Sequence, residues 1–147
     1  MSKVCATYHV VFNTYCRRPT ITDEYCRELY NYIYGVLKNY NCVVYRINGT
    51  ENHVHILFEL NPQVALATVI KNLKQGSSHW LKMNPKFPFF ESWAKEYFAF
   101  AISVSHRDAV IQYIKNQKEH HRKLSFEEEL KIIFQEWQIE WDERVLR

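Results

Sequence analysis

Two β-rich runs on either side of a turn dipeptide constrain the fold of this chain most. Residues 42–47 and 51–60 are rich in β-branched and aromatic side chains, and Asn48-Gly49 lies between them. An Asn-Gly pair tolerates the positive φ angles of a tight turn, so the runs are predicted to pair as antiparallel strands. Alternation in the second run separates two faces: Val54, Ile56, Phe58 and Leu60 on one, and His53, His55, Leu57 and Glu59 on the other. The apolar set is expected to face helices, and the histidine set to lie on an uncovered face.

The rest of the chain supplies the elements that complete such a sheet. Alternating apolar residues predict strands over 3–14 and 97–104. Helical spacing and capping residues predict four helices: over 22–40, from Asn61-Pro62 onward, from Ser105 to about Lys123, and from Ser125 to about Trp137. The order βαββαβ is that of the ferredoxin-like arrangement. The predicted fold is therefore α+β, with a four-stranded antiparallel sheet, two helices on one face and additional C-terminal helices.

Composition excludes several classes of protein. The 147 residues suit one domain, and an apolar content of 47% excludes a disordered chain. No run approaches the ~18 uncharged residues of a membrane span, and the first residues lack the apolar stretch of a signal peptide, so a cytoplasmic location without membrane contact is expected. Three glycines exclude a glycine-rich phosphate loop. The four cysteines include no C-x-x-C pair and are expected to be reduced thiols.

Charge divides the chain into two parts. Residues 124–147 contain seven acidic and three basic residues, so residues 1–123 carry a net charge of +7 within a chain of net charge +3. We therefore expect a basic functional domain over 1–123, suited to a polyanionic partner, and an acidic helix and tail over 124–147 packed on the same domain. The acidic segment could cover a dimer partner, screen the basic face or pack locally.

Two histidines on one face of a strand form the first candidate site. Cα atoms two residues apart in a strand lie roughly 6.5–7 Å from each other, so His53 and His55 can converge on one ion. The alternative is a pair of polar residues on a solvated face. A third histidine at position 57 would suggest a histidine-triad nucleotide hydrolase, but Leu57 stands there.

A tyrosine and a glutamine form the second candidate. Tyr113 and Gln117 lie four residues apart in a predicted helix and hence on one face, about 6 Å apart along the axis. Taken alone, Tyr113 could equally be a core aromatic and Gln117 a solvated amide.

Three separated motifs together resemble the single-tyrosine HUH transposases, which comprise short insertion-sequence transposases acting on single-stranded DNA and their REP-associated relatives. The motifs are Tyr8-His9-Val10-Val11-Phe12-Asn13-Thr14 with Arg17-Arg18-Pro19, Asn52-His53-Val54-His55-Ile56-Leu57, and Tyr113-Ile114-Lys115-Asn116-Gln117. The stretch 73–78, Trp93 and Tyr97 also fit the pattern. The resemblance covers residues 3–123, and it departs from the family at Tyr15, where lysine is common, and at Glu96, where glycine is common.

The resemblance implies a site and a reaction. His53, His55 and Gln117 would hold a divalent ion, Mg²⁺ or Mn²⁺, and Tyr113 would attack a DNA phosphate to give a 5′-phosphotyrosine and a free 3′-OH. A second strand's 3′-OH would reverse the step. The implied substrate is single-stranded DNA with hairpin ends. The implied enzyme is a homodimer in which the tyrosine of one subunit can serve the histidines of the other, associated with a bacterial or archaeal nucleoid.

Further candidates would surround this site. His121 is an alternative ligand on the Gln117 face, and the small residues Ala99, Ala101 and Ser103 would leave room for a nucleotide on the open face. Candidates for contacts with the DNA backbone are Arg17, Arg18, Lys71, Lys74, Lys115 and Lys118, and those for base stacking are Trp80, Trp93 and Tyr97.

Two other functions remain open on the sequence alone. One is a domesticated relative that binds hairpin DNA or RNA without strand transfer. The other is a metal-dependent nuclease in which water replaces Tyr113 as the nucleophile.

Overall fold

A four-stranded antiparallel sheet forms the centre of the computed structural model, which describes residues 1–146. The strands are β1 (Thr7–Asn13), β2 (Val43–Thr50), β3 (His53–Glu59) and β4 (Phe98–Ile102), in the spatial order β2-β3-β1-β4. Each neighbouring pair is antiparallel, with Val11 opposite His55 and His9 opposite Phe100. This topology confirms the predicted ferredoxin-like α+β fold.

Two helices cover the first face of the sheet, as predicted. Helices α1 (Cys26–Asn39) and α2 (Leu66–Lys82) pack their apolar stripes on the alternating apolar residues of β1 and β3. The most deeply buried members of this core include Phe12, Ile56, Phe58, Leu29, Ile33, Ile70 and Leu73. None of the helices within residues 1–146 is long and apolar enough to cross a membrane.

The second face of the sheet is also covered, which contradicts the prediction of an open face. After α3 (Val104–Lys115) and the short α4 (Gln117–His120), helix α5 (Phe126–Glu136) packs against this face. A second core results, made of Val11, Phe100, Phe126, Leu130, Ile133 and Phe134. The start of α5 was predicted correctly, because Ser125 and Glu128 form a reciprocal capping box.

The covered second face also explains an error in β4. Phe98 and Phe100 were expected to face α1 and α2, with the small Ala99 on the histidine side. The reverse holds: Phe100 belongs to the second core, Phe98 packs against that core, and Ala99 packs against the first core on the α1–α2 side. Because α5 supplies a second apolar surface, the larger side chains have a partner on that face.

Helix boundaries differ from the sequence prediction at three places. Asn61 accepts a hydrogen bond from the backbone N–H of Gln63 in a turn, and α2 begins only at Leu66. The first helix is preceded by a separate 3-10 turn at Asp23–Tyr25. The third helix ends at Lys115, and a break at Asn116 separates α3 from α4.

The hairpin between β2 and β3 exists, but its turn lies at residues 51–52 and not at Asn48-Gly49. Thr50 pairs with His53, and Gly49 pairs with Val54 inside the sheet. Gly49 does not have a positive φ angle. A Cβ atom at this position would overlap the carbonyl oxygen of His53, so the glycine serves a close approach of two backbones.

Replacing Gly49 with alanine should therefore destabilise the protein. To accommodate the new Cβ, the two strands must separate beside His53, and we expect a loss of about 2 kcal/mol in unfolding free energy. Gly35 is the matched control, because it lies within α1, where an added Cβ atom would meet nothing within 4 Å. Gly35→Ala should raise stability by about 0.5–1 kcal/mol through helix propensity. Urea denaturation compares both, and equal effects would contradict the close-approach argument.

Candidate metal and nucleophile site

Four side chains from three distant segments meet above the second face of the sheet. His53 and His55 extend from β3, Gln117 begins α4, and Glu129 extends from α5. The Nε2 atom of His53 lies 2.9 Å from Gln117 Oε1 and 3.4 Å from Glu129 Oε1, and the Nε2 atom of His55 lies 3.1 Å from the same carboxylate oxygen. All four residues are buried. The structure thus brings together the three predicted ligands and adds a carboxylate.

The surroundings of His53 determine its tautomer, that is, which ring nitrogen carries the proton and which one presents a lone pair to the site. Its Nδ1 lies 2.8 Å from Asn52 Oδ1, an atom that can only accept, so Nδ1 carries the proton. Burial lowers the pKa of the imidazole to about 4, so the ring is neutral near pH 7. Nε2 then presents a lone pair to Gln117 Oε1, which is also an acceptor.

The orientation of the Gln117 amide is set independently. Its Nε2 donates to Glu129 Oε2 at 2.8 Å, which leaves Oε1 directed at His53. Rotating the amide would place its oxygen against a carboxylate. Two acceptor atoms therefore lie 2.9 Å apart without a proton between them, beside the carboxylate oxygen. A cation relieves this repulsion, and imidazole, amide and carboxylate donors are suitable ligands for Mn²⁺ or Mg²⁺. The residues present fit the ion that the family resemblance implies.

His9 is a site residue that sequence reasoning missed. It extends from β1 on the same face as His55, and its Nε2 lies 2.8 Å from His55 Nδ1, with the rings stacked at 5.0 Å. Burial, as the main cause, lowers the pKa of His9 to about 3, so this ring is neutral near pH 7. A neutral His9 can accept the Nδ1 proton of His55, which directs the Nε2 lone pair of His55 towards Glu129. The alternation of β1 contained this information, since His9 points to the opposite side of the pleat from Val10.

Glu129 is the second missed residue and the centre of the cluster. Its Oε1 lies within 3.4 Å of the imidazoles of His53, His55 and His121, and its Oε2 accepts from Gln117 and Tyr113. Burial alone would raise the pKa of this carboxyl, but the adjacent imidazoles lower it overall, so Glu129 is ionised. A carboxylate within the apolar stripe of α5, between Phe126 and Leu130, was the available indication in the sequence.

Tyr113 lies beside its own chain's histidines. Its hydroxyl donates to Glu129, and its ring meets that of His55 edge-on at 5.8 Å. Burial, together with the adjacent carboxylate, raises the pKa of the phenol above its ordinary value, so Tyr113 carries its proton. Asn48 on β2 positions the helix, because its side-chain amide donates to the carbonyls of Ile114 and Lys115 at the end of α3.

The two histidines at the end of α4 complete the cluster. His121 Nδ1 lies 2.7 Å from the Leu124 carbonyl and therefore carries a proton, while its Nε2 lies 2.9 Å from Glu129 Oε1. His120 lies half-buried, with Nε2 3.6 Å from Glu129 Oε2 and its ring edge-on to Tyr113 at 5.4 Å. His121, the alternative ligand of the sequence analysis, thus contacts the carboxylate and is not a solvated helix end.

The predicted DNA-contacting residues fall into two groups. Lys71 and Lys74 extend from α2, on the opposite side of the sheet from the histidines, and Lys74 Nζ donates to the carbonyls of residues 94, 95 and 96 at 2.8–3.1 Å. The other four lie outside α2: Arg17 pairs with Glu127, Arg18 with Glu91, Lys118 binds the Gly49 carbonyl, and Lys115 is exposed.

The three aromatic candidates for base stacking pack with the first core. Trp93 is buried, donates its indole N–H to Ser77 and meets Phe12 edge-on. Trp80 stacks on Tyr32, and Tyr97 lies partly buried against the core. Because its ring is enclosed by the core, Trp93 is not accessible to a base.

A cavity of about 490 Å³ opens beside the cluster. Tyr113, Glu129, His9 and His120 form its inner wall, whereas His53 and His55 do not line it. The outer walls come from the end of β4, from α3 and from α5, and include Ser103, His106, Ile132, Glu136 and Trp137. Tyr113 and Glu129 are therefore members of the site that this cavity reaches.

Comparison with known proteins supports a relationship at the level of family and fold. The chain matches the family model described as "Transposase IS200 like" over residues 2–117. It resembles the crystal structure of a candidate transposase from Deinococcus radiodurans R1, with 23% identity, a TM-score of 0.60 and coverage of 79% of this chain and 93% of that one. It also resembles a REP-associated tyrosine transposase bound to a REP hairpin, with 16% identity, a TM-score of 0.64 and coverage of 82% and 74%. No curated protein matches the chain.

Some residues of the site lie inside the region that matches the family model, and others lie outside it. His53, His55, Tyr113 and Gln117 lie within residues 2–117, and the two structural similarities concern the fold. Helix α5, with Glu129, lies beyond the matched region. The carboxylate at the centre of the cluster thus comes from a segment outside the residues that match the family model.

Proposed function

Because the chain belongs to the IS200-like transposase family, we propose that it cleaves and rejoins single-stranded DNA through a covalent bond to Tyr113. One observation supports this proposal above the others: the Tyr113 hydroxyl, the His53 and His55 imidazoles and the Gln117 amide meet around a single buried carboxylate. Such a nucleophile beside a set of metal-ligating atoms is suited to phosphoryl transfer.

The nucleophilic step uses the Tyr113–Glu129 pair. The pKa of the Tyr113 phenol, which burial and the adjacent carboxylate raise above the ordinary ~10, keeps it protonated near pH 7, so it must lose its proton to attack. Glu129 Oε2 already accepts the hydrogen bond from Tyr113 and is placed to take that proton. The tyrosine oxygen then forms a bond to phosphorus, the bond from phosphorus to the 3′ oxygen breaks, and that oxygen takes up a proton to become a free 3′-OH. Attack by the 3′-OH of a second strand reverses these changes and releases Tyr113.

The metal site is assigned to His53, His55, Gln117 and Glu129. When bound, a divalent ion supplies positive charge that neutralises a phosphodiester and orients its oxygens. The two imidazoles and the amide are neutral, whereas Glu129 contributes one negative charge. His9 and Asn52 hold the two imidazoles in the tautomers that direct Nε2 inward.

The substrate is proposed to be single-stranded DNA flanked by a hairpin, because the REP-associated transposase of similar fold is bound to a REP hairpin. Arg17, Arg18, Lys115 and Lys118, which lie outside α2, are the predicted basic residues assigned to contacts with its backbone. Since Tyr113 lies beside the histidines of its own chain, the reaction is proposed to occur within one subunit. Homodimerisation and a nucleoid-associated cytoplasmic location are parts of the same proposal.

End-labelled oligonucleotides test this reaction. A library of hairpin-flanked single strands is incubated with the protein and Mn²⁺, then separated under denaturing conditions. With a 3′ label, we expect radioactivity at the size of the protein, since the DNA downstream of the cut remains on Tyr113. With a 5′ label, a shortened free strand ending in 3′-OH is expected. Shortened strands without protein attachment would indicate attack by water, and tight, salt-sensitive binding of intact strands would indicate a binding protein.

Metal binding gives a second, independent prediction. An ion present at 100 times its Kd should stabilise the protein by about 2.7 kcal/mol, seen as a rise of several degrees in melting temperature. His53→Ala should abolish this rise, measured against its own metal-free melting curve. His79→Ala is the matched control, because His79 is exposed on α2. An equal Mn²⁺-dependent rise in both variants would contradict the assignment.

A further inference from the structure

The cavity beside Tyr113 has the size and location of a nucleotide-binding pocket. Its volume of about 490 Å³ lies within the range of small-molecule sites. In the proposed reaction, the scissile phosphate must contact the Tyr113 hydroxyl, and the sugars and bases on either side must occupy space next to it. Tyr113 itself lines this cavity, and so do Glu129 and His120, which lie beside its hydroxyl and ring. The cavity is therefore adjacent to a nucleotide whose phosphate reaches Tyr113.

The walls of the cavity suit a flat, partly polar ring. Trp137 lines it, is partly exposed and stacks one face of its ring on Phe100 at 5.2 Å. Ile132 and Val110 add apolar wall. Two polar residues also line the cavity. They are Glu136 and His106, and the Nδ1 atom of His106 lies 2.7 Å from Ser103 Oγ. Aromatic stacking with a few hydrogen-bonding groups is how proteins hold unpaired bases.

From these features we infer that the cavity binds one unpaired base that flanks the scissile phosphate, with Trp137 as its stacking surface. This inference rests on the proposed function and extends it, because it assigns substrate recognition to α5 and its C-cap, outside the region of the family match. This segment then contributes both Glu129 to the reaction centre and Trp137 to the binding of the strand. The Glu136 carboxylate can accept hydrogen bonds from the N–H groups of a base, and His106 can donate or accept.

The test measures coupling between Trp137 and the base. The cut position is first mapped with end-labelled strands. Abasic sites are then placed at the nucleotides immediately before and after the cut and, as a control, several nucleotides away. Binding is measured with the Tyr113→Phe protein, which cannot consume the strand. An abasic site at one flanking position should weaken binding about 10-fold, and adding Trp137→Ala should reduce that loss to near onefold, because the stacking partner is already gone.

Two variants separate recognition from folding. Trp137→Phe keeps an aromatic ring and should restore most of the 10-fold effect. Trp141→Ala removes a tryptophan that packs on Phe134 and does not line the cavity, so the abasic loss should stay at about 10-fold. If an abasic site at either flanking position weakens binding as much in the Trp137→Ala protein as in the protein that keeps Trp137, the inference is overturned, even if the covalent adduct forms.

A mononucleotide titration keeps this inference distinguishable from the proposed reaction. Deoxynucleoside 5′-monophosphates should shift the backbone amide signals of Ala101 and Ser103 and the indole signal of Trp137 in NMR spectra. Deoxyribose 5-phosphate, which has no base, should not. Base-dependent shifts in a protein that forms no DNA adduct would support the pocket and reject the reaction. An adduct without such shifts and without coupling would reject the pocket alone.

Discussion

Tyr113→Phe should abolish transfer of 3′-labelled DNA to the protein while leaving the Kd for an uncleaved hairpin strand within about twofold of the original. The substitution removes one oxygen atom, which donates to Glu129, and keeps the ring that packs against His55, His9 and His120. The other group that donates to Glu129 Oε2 is the Gln117 amide, and an amide is too poor a nucleophile to replace the phenol. Loss of the oxygen therefore removes the proposed nucleophile without disturbing the packing around it.

Tyr34→Phe is the matched control for this experiment. Tyr34 lies on α1 with nearly half of its surface exposed, so the loss of its hydroxyl should change neither cleavage nor binding. The melting curve of Tyr34→Phe should overlay that of the original protein, whereas Tyr113→Phe, which loses a hydrogen bond to a buried carboxylate, should melt a few degrees lower. An adduct that persists in Tyr113→Phe would show that another residue attacks the phosphate. Undiminished strand cutting without an adduct would instead show that water is the nucleophile.

The fold was predictable to the extent that it follows from local periodicity. Alternation in β1 and β3 and the three- and four-residue spacing in α1 and α2 depend on neighbouring residues, and they specify βαββαβ. The hairpin turn was not predictable in this way. Asn48-Gly49 favours a turn locally, but Gly49 is used where two strand backbones approach closely, and the turn forms three residues later at Glu51-Asn52.

The packing of α5 on the second face of the sheet could not be predicted for a different reason. The capping box and apolar stripe of α5 are visible in the sequence, yet nothing local states which surface the stripe will cover. That choice depends on Val11 and Phe100, which lie far from α5 along the chain. The prediction of an open histidine face and the reversed faces of β4 both follow from this one missing contact.

The site was predictable where its members lie within one element. The spacing of His53 and His55 in a strand, and of Tyr113 and Gln117 in a predicted helix, placed each pair on one face, and the structure brings the pairs together. Glu129 and His9 required knowledge of contacts between elements. Glu129 in particular stands in a run of three glutamates; its position in the apolar stripe of α5 distinguishes it from the other two, but the residues that it contacts lie on other elements.

Glu129→Gln should lower the rate of adduct formation by about two to four orders of magnitude, the range typical of removing a general base. The glutamine has the same shape but no charge, and only one of its two terminal atoms can accept. It cannot both take the proton of Tyr113 through one oxygen and present the other to the imidazoles of His53 and His55. Binding of the uncleaved strand should change far less, because the cavity walls remain.

Two comparisons make this result interpretable. Glu119→Gln alters an exposed carboxylate on α4 that pairs with Arg122, and it should leave the rate unchanged. Glu129→Asp retains the charge but shortens the side chain, so its rate should fall between those of the original protein and Glu129→Gln. A rate for Glu129→Gln above that of the original protein would have the opposite meaning. Glu129 would then occupy the place of the scissile phosphate, and α5 would act as a barrier that the DNA must displace.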